Sequence, residues 1–260
     1  MEQEKRSFEF VPYKFGCFSF VSYVDHRILI RDGFLDNTEK WKLSTSLSSS
    51  ISLKPEDSAL LSSFSQNYKM LRGHDLIRYV YTRYPYYAIN SEIADKYLSE
   101  DEQSQVRQSV TTDSNDTLFT IGYEGKSPEG YFNTLIKNNV HLLCDVRRNP
   151  ISMKYGFSKS QLSRIAGDLG IEYRHIPELG IASEKRKNLY HASDYVSLFD
   201  EYAKDLDSKK EYLNRVKSLI KESSRVALTC FESTPGMCHR HKITDSLSSS
   251  LLWNIPIIHL

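Results

Sequence analysis

The residues able to do chemistry fall into two short runs. One is Asp145-Val146-Arg147-Arg148. The other is Cys230-Phe231-Glu232, followed through Ser233-Thr234-Pro235-Gly236-Met237 by Cys238-His239-Arg240. Arginine carries a fixed fork of donors that suits phosphate or carboxylate, so Arg147, Arg148 and Arg240 together predict an anionic ligand. The bland alternative is that either of the first two is spent on a structural ion pair with Asp145 or Glu232. The carboxylates Asp145 and Glu232 could serve as general acid and base if burial separates their pKa values. In the bland reading Asp145 only orients Arg148. The thiols compete for the same role. Cys238 is expected in the first turn of a helix, beside His239 and Arg240, where a lowered pKa would make it a nucleophile. Cys230 and Cys144 end or lie within buried strands and read as packed, inert thiols. Cys230, Cys238 and His239 could in principle hold zinc, but their spacing fits no common zinc pattern, and no metal is expected.

These runs need elements to place them. Beyond residue 117 the pattern alternates strand and helix. Strands are expected at 117–124, 140–146, 171–177, 225–231 and 255–260. Helices are expected at 128–138, 158–169, 194–206, 209–222 and 239–253. Such alternation forces right-handed crossovers and a parallel sheet covered on both faces. The fold class is therefore α/β, with a Rossmann-like C-terminal domain. Ligands of such sheets bind beyond the carboxyl ends of the strands. Tyr123 and Glu124 follow the first strand, Asp145 to Arg148 the second, Glu178 the third, and Glu232 to Arg240 the fourth, with Lys154 after the second. One rim thus collects the polar residues of the domain.

Residues 1–98 read differently. A helix is expected at 21–31, stopped at Asp32-Gly33, then an extended stretch over 34–53 with Trp41, Leu43, Ile51 and Leu53 alternating. Helices follow at 55–71, 75–84 and 91–98. Helices with a small hairpin between them suggest a winged-helix-like module. Lys40, Lys42, Lys69, Arg72, Arg78 and Arg83, with tyrosines nearby, could give a modest phosphate-contacting face. A solvated helix face over an aromatic core is the plainer reading. The polar stretch 99–116 reads as a linker.

Composition sets bounds. The chain has 260 residues, 40% hydrophobic and 26% charged, which is ordinary for a globular protein of two domains. A formal net charge of +1 gives no global attraction to nucleic acid or anionic membrane. No apolar run approaches a membrane span, and the charged N-terminus lacks a signal-peptide pattern. The four cysteines form no CxxC pair, so a cytoplasmic protein with reduced thiols is expected. There is no GxGxxG fingerprint and no GxxxxGK[ST] loop, so neither a nicotinamide cofactor nor ATP hydrolysis is expected, and no other cofactor is called for.

At the strand-end residues the chain resembles the domain-of-unknown-function family numbered 488. The matching pieces are TIGYEG, DVRRNPIS with Lys154 and Phe157 following, GIEYRHIPELG, ALTCFESTPGMCHRHKI and the closing IIHL. The resemblance covers about residues 118–260. It implies a Rossmannoid fold and a site at Asp145, Arg147, Arg148, Cys230, Glu232, Cys238, His239 and Arg240, without implying a reaction. Family members occur near DNA-modification or phage-defence functions, which favours a nucleic-acid partner. FVPYKFGCFSF and the following DGFL resemble the start of SocA-like (Panacea) modules. Three readings stand: an enzyme acting on a nucleotide or nucleic acid, a cysteine-dependent enzyme of sulfurtransferase-like logic with Cys238 or Cys230 attacking, and a non-catalytic nucleotide or DNA sensor.

Overall fold

The computed structural model describes residues 8–38, 41–44, 53–187 and 189–260. The chain divides into two compact units, Met1–Val110 and Thr111–Leu260. No described helix is long and apolar enough to cross a membrane.

The first unit opens with an antiparallel hairpin, β1 (Val11–Tyr13) and β2 (Gly16–Phe18). Helix α1 (Phe20–Arg31) follows, its N-terminus capped by the Ser19 side chain, which accepts from the Ser22 N–H. Then come α2 (Pro55–Tyr68), α3 (Gly73–Arg83), the short α4 (Ala94–Tyr97) and α5 (Glu100–Gln108). The hairpin precedes the helices. Between α1 and α2 the described residues hold a single isolated bridge, Leu35 to Leu43, while Ile51 lies outside them. The winged-helix and SocA-like readings therefore gain no support.

Two further expectations change. Part of the stretch expected as linker is helix α5. Its polarity misled, because Ser99 and Glu102 form a reciprocal capping box and Arg78 pairs with Glu102 at 2.5 Å. Three of the six basic residues are also engaged within the chain. Lys42 pairs with Asp36, Arg72 donates to the Leu71 carbonyl, and Arg78 donates to Glu102 and the Tyr97 carbonyl. Lys40 lies outside the described residues.

The second unit is the Rossmann-like domain. Its strands are β3 (Thr117–Gly122), β4 (Leu142–Asp145), β5 (Glu172–His175), β6 (Arg225–Cys230) and β7 (Ile257–His259). They form one parallel sheet in the order β5-β4-β6-β3-β7. Helices α6 (Pro128–Lys137), α7 (Lys159–Asp168), α8 (Ala192–Leu206), α9 (Lys210–Ser223) and α10 (Arg240–Ser248) complete the unit. Leu142, Cys144, Val226 and Leu228 belong to one buried cluster with Val216 and Ile220 of α9 and Ile243 and Leu247 of α10. Each such aliphatic side chain contributes roughly 1.5–3 kcal/mol on burial. Helix α10 is shorter than its sequence pattern suggests and begins at Arg240, with His239 as N-cap. Cys238 therefore precedes the helix instead of occupying its first turn.

The central position of β6 sets the site. Its last residue, Cys230, pairs in register with Gly122 of β3, while Thr229 pairs with Asp145 of β4. Gly122 is required by the packing at this seam. A Cβ there would lie 1.8 Å from the Glu232 carbonyl oxygen and 3.0 Å from Arg240 Nη1. Gly122→Ala must push the turn after β6 away from β3. The expected cost is about 1–3 kcal/mol of overpacking, read as a lower urea midpoint, with Gly236→Ala, at an exposed position with open space around it, as a surface control.

Candidate functional site

Asp145 ends β4 fully buried, and Arg147 two residues on is nearly so. Burying either charge alone is costly, so they satisfy each other. Arg147 Nε donates to Asp145 Oδ1 at 2.9 Å and Nη2 to Oδ2 at 2.6 Å. The Arg147 backbone N–H adds a bond to Oδ1, and Tyr173 donates its hydroxyl to Oδ2 at 2.8 Å. Arg147 Nη1 also donates to Tyr123 Oη at 3.1 Å and to the Phe157 carbonyl at 2.8 Å. Burial opposes the charge of Arg147, but the bonds and charge of Asp145 outweigh it and hold the guanidinium pKa above its usual value. Burial, then the charge of Asp145, raises the Tyr173 phenol. Asp145 thus pairs with Arg147, not Arg148, and its lone pairs are occupied. The expectation of Asp145 and Glu232 as an acid–base pair across one cleft is not met, because Asp145 is locked into this ion pair.

Arg240 is also committed. It is fully buried and donates from Nη1 to the Glu232 carbonyl and from Nη2 to the Ser233 carbonyl at 2.9 Å. It braces the turn after β6 and does not line the cavity described below. Glu124 holds the same turn from the other side, its carboxylate accepting from Ser233 N–H at 3.0 Å and from Ser233 Oγ.

Beyond that turn a polar cluster forms. His239 is buried, and its Nε2 lies 3.1 Å from the Val146 carbonyl. A carbonyl only accepts, so Nε2 carries a proton, and the ring nitrogen turned toward the cluster is Nδ1. That atom faces Arg186 Nη2 at 3.0 Å, Cys230 Sγ at 3.6 Å and Cys238 Sγ at 3.8 Å. Arg186 Nη1 pairs with Glu232 Oε1 at 2.6 Å, and Cys230 Sγ lies 3.3 Å from Glu232 Oε2. The Tyr202 ring meets His239 edge-on at 5.5 Å.

The two thiols are pushed in opposite directions. A hydrogen bond from Cys238 first, then His239 and Arg186, pull Cys230 well below its usual pKa. Burial first, then the neighbouring Cys230, push Cys238 well above. This favours Cys230 over Cys238, which the sequence reading placed first as the activated thiol. Both thiols are buried, but Cys238 loses the helix start because α10 begins only at Arg240, while Cys230 has the Cys238 thiol and the Arg186 guanidinium to favour its charged form. Cys144 lies in the core, its thiol pushed up to about 12 chiefly by burial.

A cavity of about 360 Å³ opens beside the cluster, lined among others by Tyr123, Arg147, Arg148, Arg186, Cys230 and His239. Arg148 is exposed, and no hydrogen bond or ion pair engages it among the described residues. Its backbone packs against Gly180, where a Cβ would stand 2.1 Å from the Arg148 nitrogen. The cavity lining mixes the polar Asn149, Ser152 and Ser183 with three exposed apolar side chains: Ile151 and Met153 are almost wholly exposed, and Phe231 is 44% exposed. Tyr123 stacks on Phe157 at 4.4 Å.

Two expected residues lie elsewhere. Glu178 lines a second cavity of about 320 Å³ with Arg148 and Tyr202. Lys154 reaches the Tyr123 carbonyl at 3.4 Å and stands over the Phe157 ring, but does not line the first cavity. Sequence reasoning missed Arg186. It sits 46 residues before Glu232 in a loop without a motif, and Ser183-Glu184-Lys185-Arg186 reads as an ordinary solvated charge run.

Residues 127–247 match the family described as Domain of unknown function DUF488. No curated protein and no solved structure matches the chain.

The two neighbouring arginines should separate cleanly. Arg147→Met strands a buried carboxylate and is expected to cost about 3–5 kcal/mol. Arg148→Ala, on the surface, should stay within about 0.5 kcal/mol of the parent. Chemical denaturation of both variants checks this contrast.

Proposed function

We propose that the second unit is an enzyme domain that acts on a nucleotide, free or as a unit of a nucleic acid, held in the cavity beyond the strand ends. One observation carries the reading: Arg148, unengaged and exposed, shares a cavity with Cys230, His239 and the exposed Phe231 ring. A phosphate takes a charge-assisted, bidentate bond from such an arginine. A base has a π-face that stacks on an exposed aromatic, and Phe231 at the mouth offers one. The reacting atoms would sit toward Cys230, Glu232 and His239. Asp145, Arg147 and Arg240 then act as the frame that holds them.

The reading favours Glu232 and His239 over Asp145 for proton transfer. Glu232 is only partly buried and keeps one oxygen toward Cys230. A connection to DNA modification or phage defence belongs to this proposal as its biological setting.

The test is calorimetric titration of the full-length protein with a panel of nucleoside monophosphates and a short single-stranded oligonucleotide. Binding to at least one is expected. Loss of a hydrogen bond to a charged group, about 1.5–3 kcal/mol, makes Arg148→Ala roughly ten- to a hundred-fold weaker. Phe231→Ala should weaken nucleotides without altering binding of inorganic phosphate. Unchanged affinity in Arg148→Ala, or no binding by any probe, overturns the reading. Incubation followed by mass spectrometry separates an enzyme from a sensor: binding with no chemical change in any bound nucleotide assigns the pocket to sensing.

A further inference from the structure

We infer that Cys230, Cys238 and His239 form a mononuclear zinc site with three protein ligands and a fourth position open to the strand-end cavity. The inference goes beyond the nucleotide reading and stands or falls without it, since metal content is measured with no nucleotide present.

Spacing in space carries the argument. The three potential ligand atoms lie within 4.8 Å of one another. A tetrahedral zinc ion with ordinary bonds, about 2.3 Å to sulfur and 2.0–2.1 Å to nitrogen, has S···N edges of roughly 3.6 Å. The observed separations from His239 Nδ1 are 3.6 Å to Cys230 Sγ and 3.8 Å to Cys238 Sγ. An ion at the centre of this triangle needs only small side-chain adjustments. The same distances would also suit weak thiol hydrogen bonds, which is why metal content decides.

The surroundings point the same way. The Val146 carbonyl accepts the Nε2 proton of His239, which fixes the ring and aims Nδ1 at the thiols. Metal-binding histidines are oriented by this kind of partner on the far nitrogen. Cys230 is the last residue of β6, while Cys238 and His239 immediately precede α10. Strand end and helix start are rigid supports. Linear spacing argued against zinc because seven residues separate the cysteines. The Pro235–Met237 turn returns the chain so that Cys238 and His239 face Cys230.

Charge also balances. Both cysteines would bind as thiolates, any thiol proton they carry passing to solvent, so the ion and its two thiolates sum to zero. The ion takes the place of Arg186 at Nδ1, and Arg186 keeps its ion pair with Glu232 Oε1. Cys230 and His239 line the cavity and Cys238 does not, so the fourth position faces the cavity. Three protein ligands with an open position is the pattern of catalytic zinc. Glu232 Oε2, 3.3 Å from Cys230 Sγ, stands beside it.

The test uses the full-length protein purified without chelator. Elemental analysis is expected to find one zinc per chain after gel filtration. Stripped protein titrated with cobalt(II) should give a thiolate-to-cobalt charge-transfer band that saturates at one equivalent. Cys230→Ser, Cys238→Ser and His239→Ala should each lose the zinc, whereas Cys144→Ala and Cys17→Ser should retain it. Circular dichroism guards against misfolding in the variants, and the cobalt titration of the stripped parent needs no variant at all. Equal zinc in the parent and Cys230→Ser, or no charge-transfer band, overturns the inference. So does alkylation of Cys230 by iodoacetamide at the same rate with and without saturating zinc, which would return that thiol to the role of free nucleophile.

Discussion

A buried carboxylate and a buried guanidinium close together in the chain must neutralise each other, and much of the strand-end architecture follows from how Asp145 and Arg147 do so. Asp145 ends β4 where water is absent. Its partner must come from the turn that follows, and the turn must fold back to deliver it. Arg147 then has donors to spare, which it spends on Tyr123 after β3 and on the Phe157 carbonyl ahead of α7. Tyr173 of β5 closes the carboxylate from the side. One ion pair thus ties β4 to its neighbour β5, to the end of β3 on the far side of β6, and to the loop before α7. Such a pair adds little net stability over an apolar replacement, but it fixes geometry, because every donor in it has a direction.

The same bookkeeping explains why two adjacent arginines part company. Arg147 turns inward and becomes frame. Arg148 follows with its backbone pressed against Gly180, so its side chain is left on the open side. In sequence the two are indistinguishable. In space one belongs to folding and the other is left for ligand.

The parallel sheet, its helices and the rim where polar residues collect were legible from periodicity, because buried parallel strands write near-continuous apolar runs and their helices write amphipathic ones. Strand order was not. Nothing local says that β6 lies between β3 and β4, yet that insertion brings Cys230 level with Gly122 and next to the end of β4. Roles within the rim were harder still. Cys238 looked like a helix-activated thiol only while α10 was taken to begin earlier. Arg186 carried no signal, because its importance lies in a contact across a long loop. The capped helix α5 hid inside a polar stretch, since its stability comes from side-chain bonds at its start and from Arg78, not from an apolar stripe.

The Arg240 brace has a consequence for how any ligand would be met. Both carbonyls of the Glu232-Ser233 turn are held from within the protein, and Glu124 holds the Ser233 amide from the opposite side. Gly122 lets the turn seat against β3 without a gap. A loop fastened at this many points has already lost its conformational freedom when the chain folds. An incoming molecule therefore meets a preorganised surface, and the entropy of ordering Glu232 is charged to folding instead of to association.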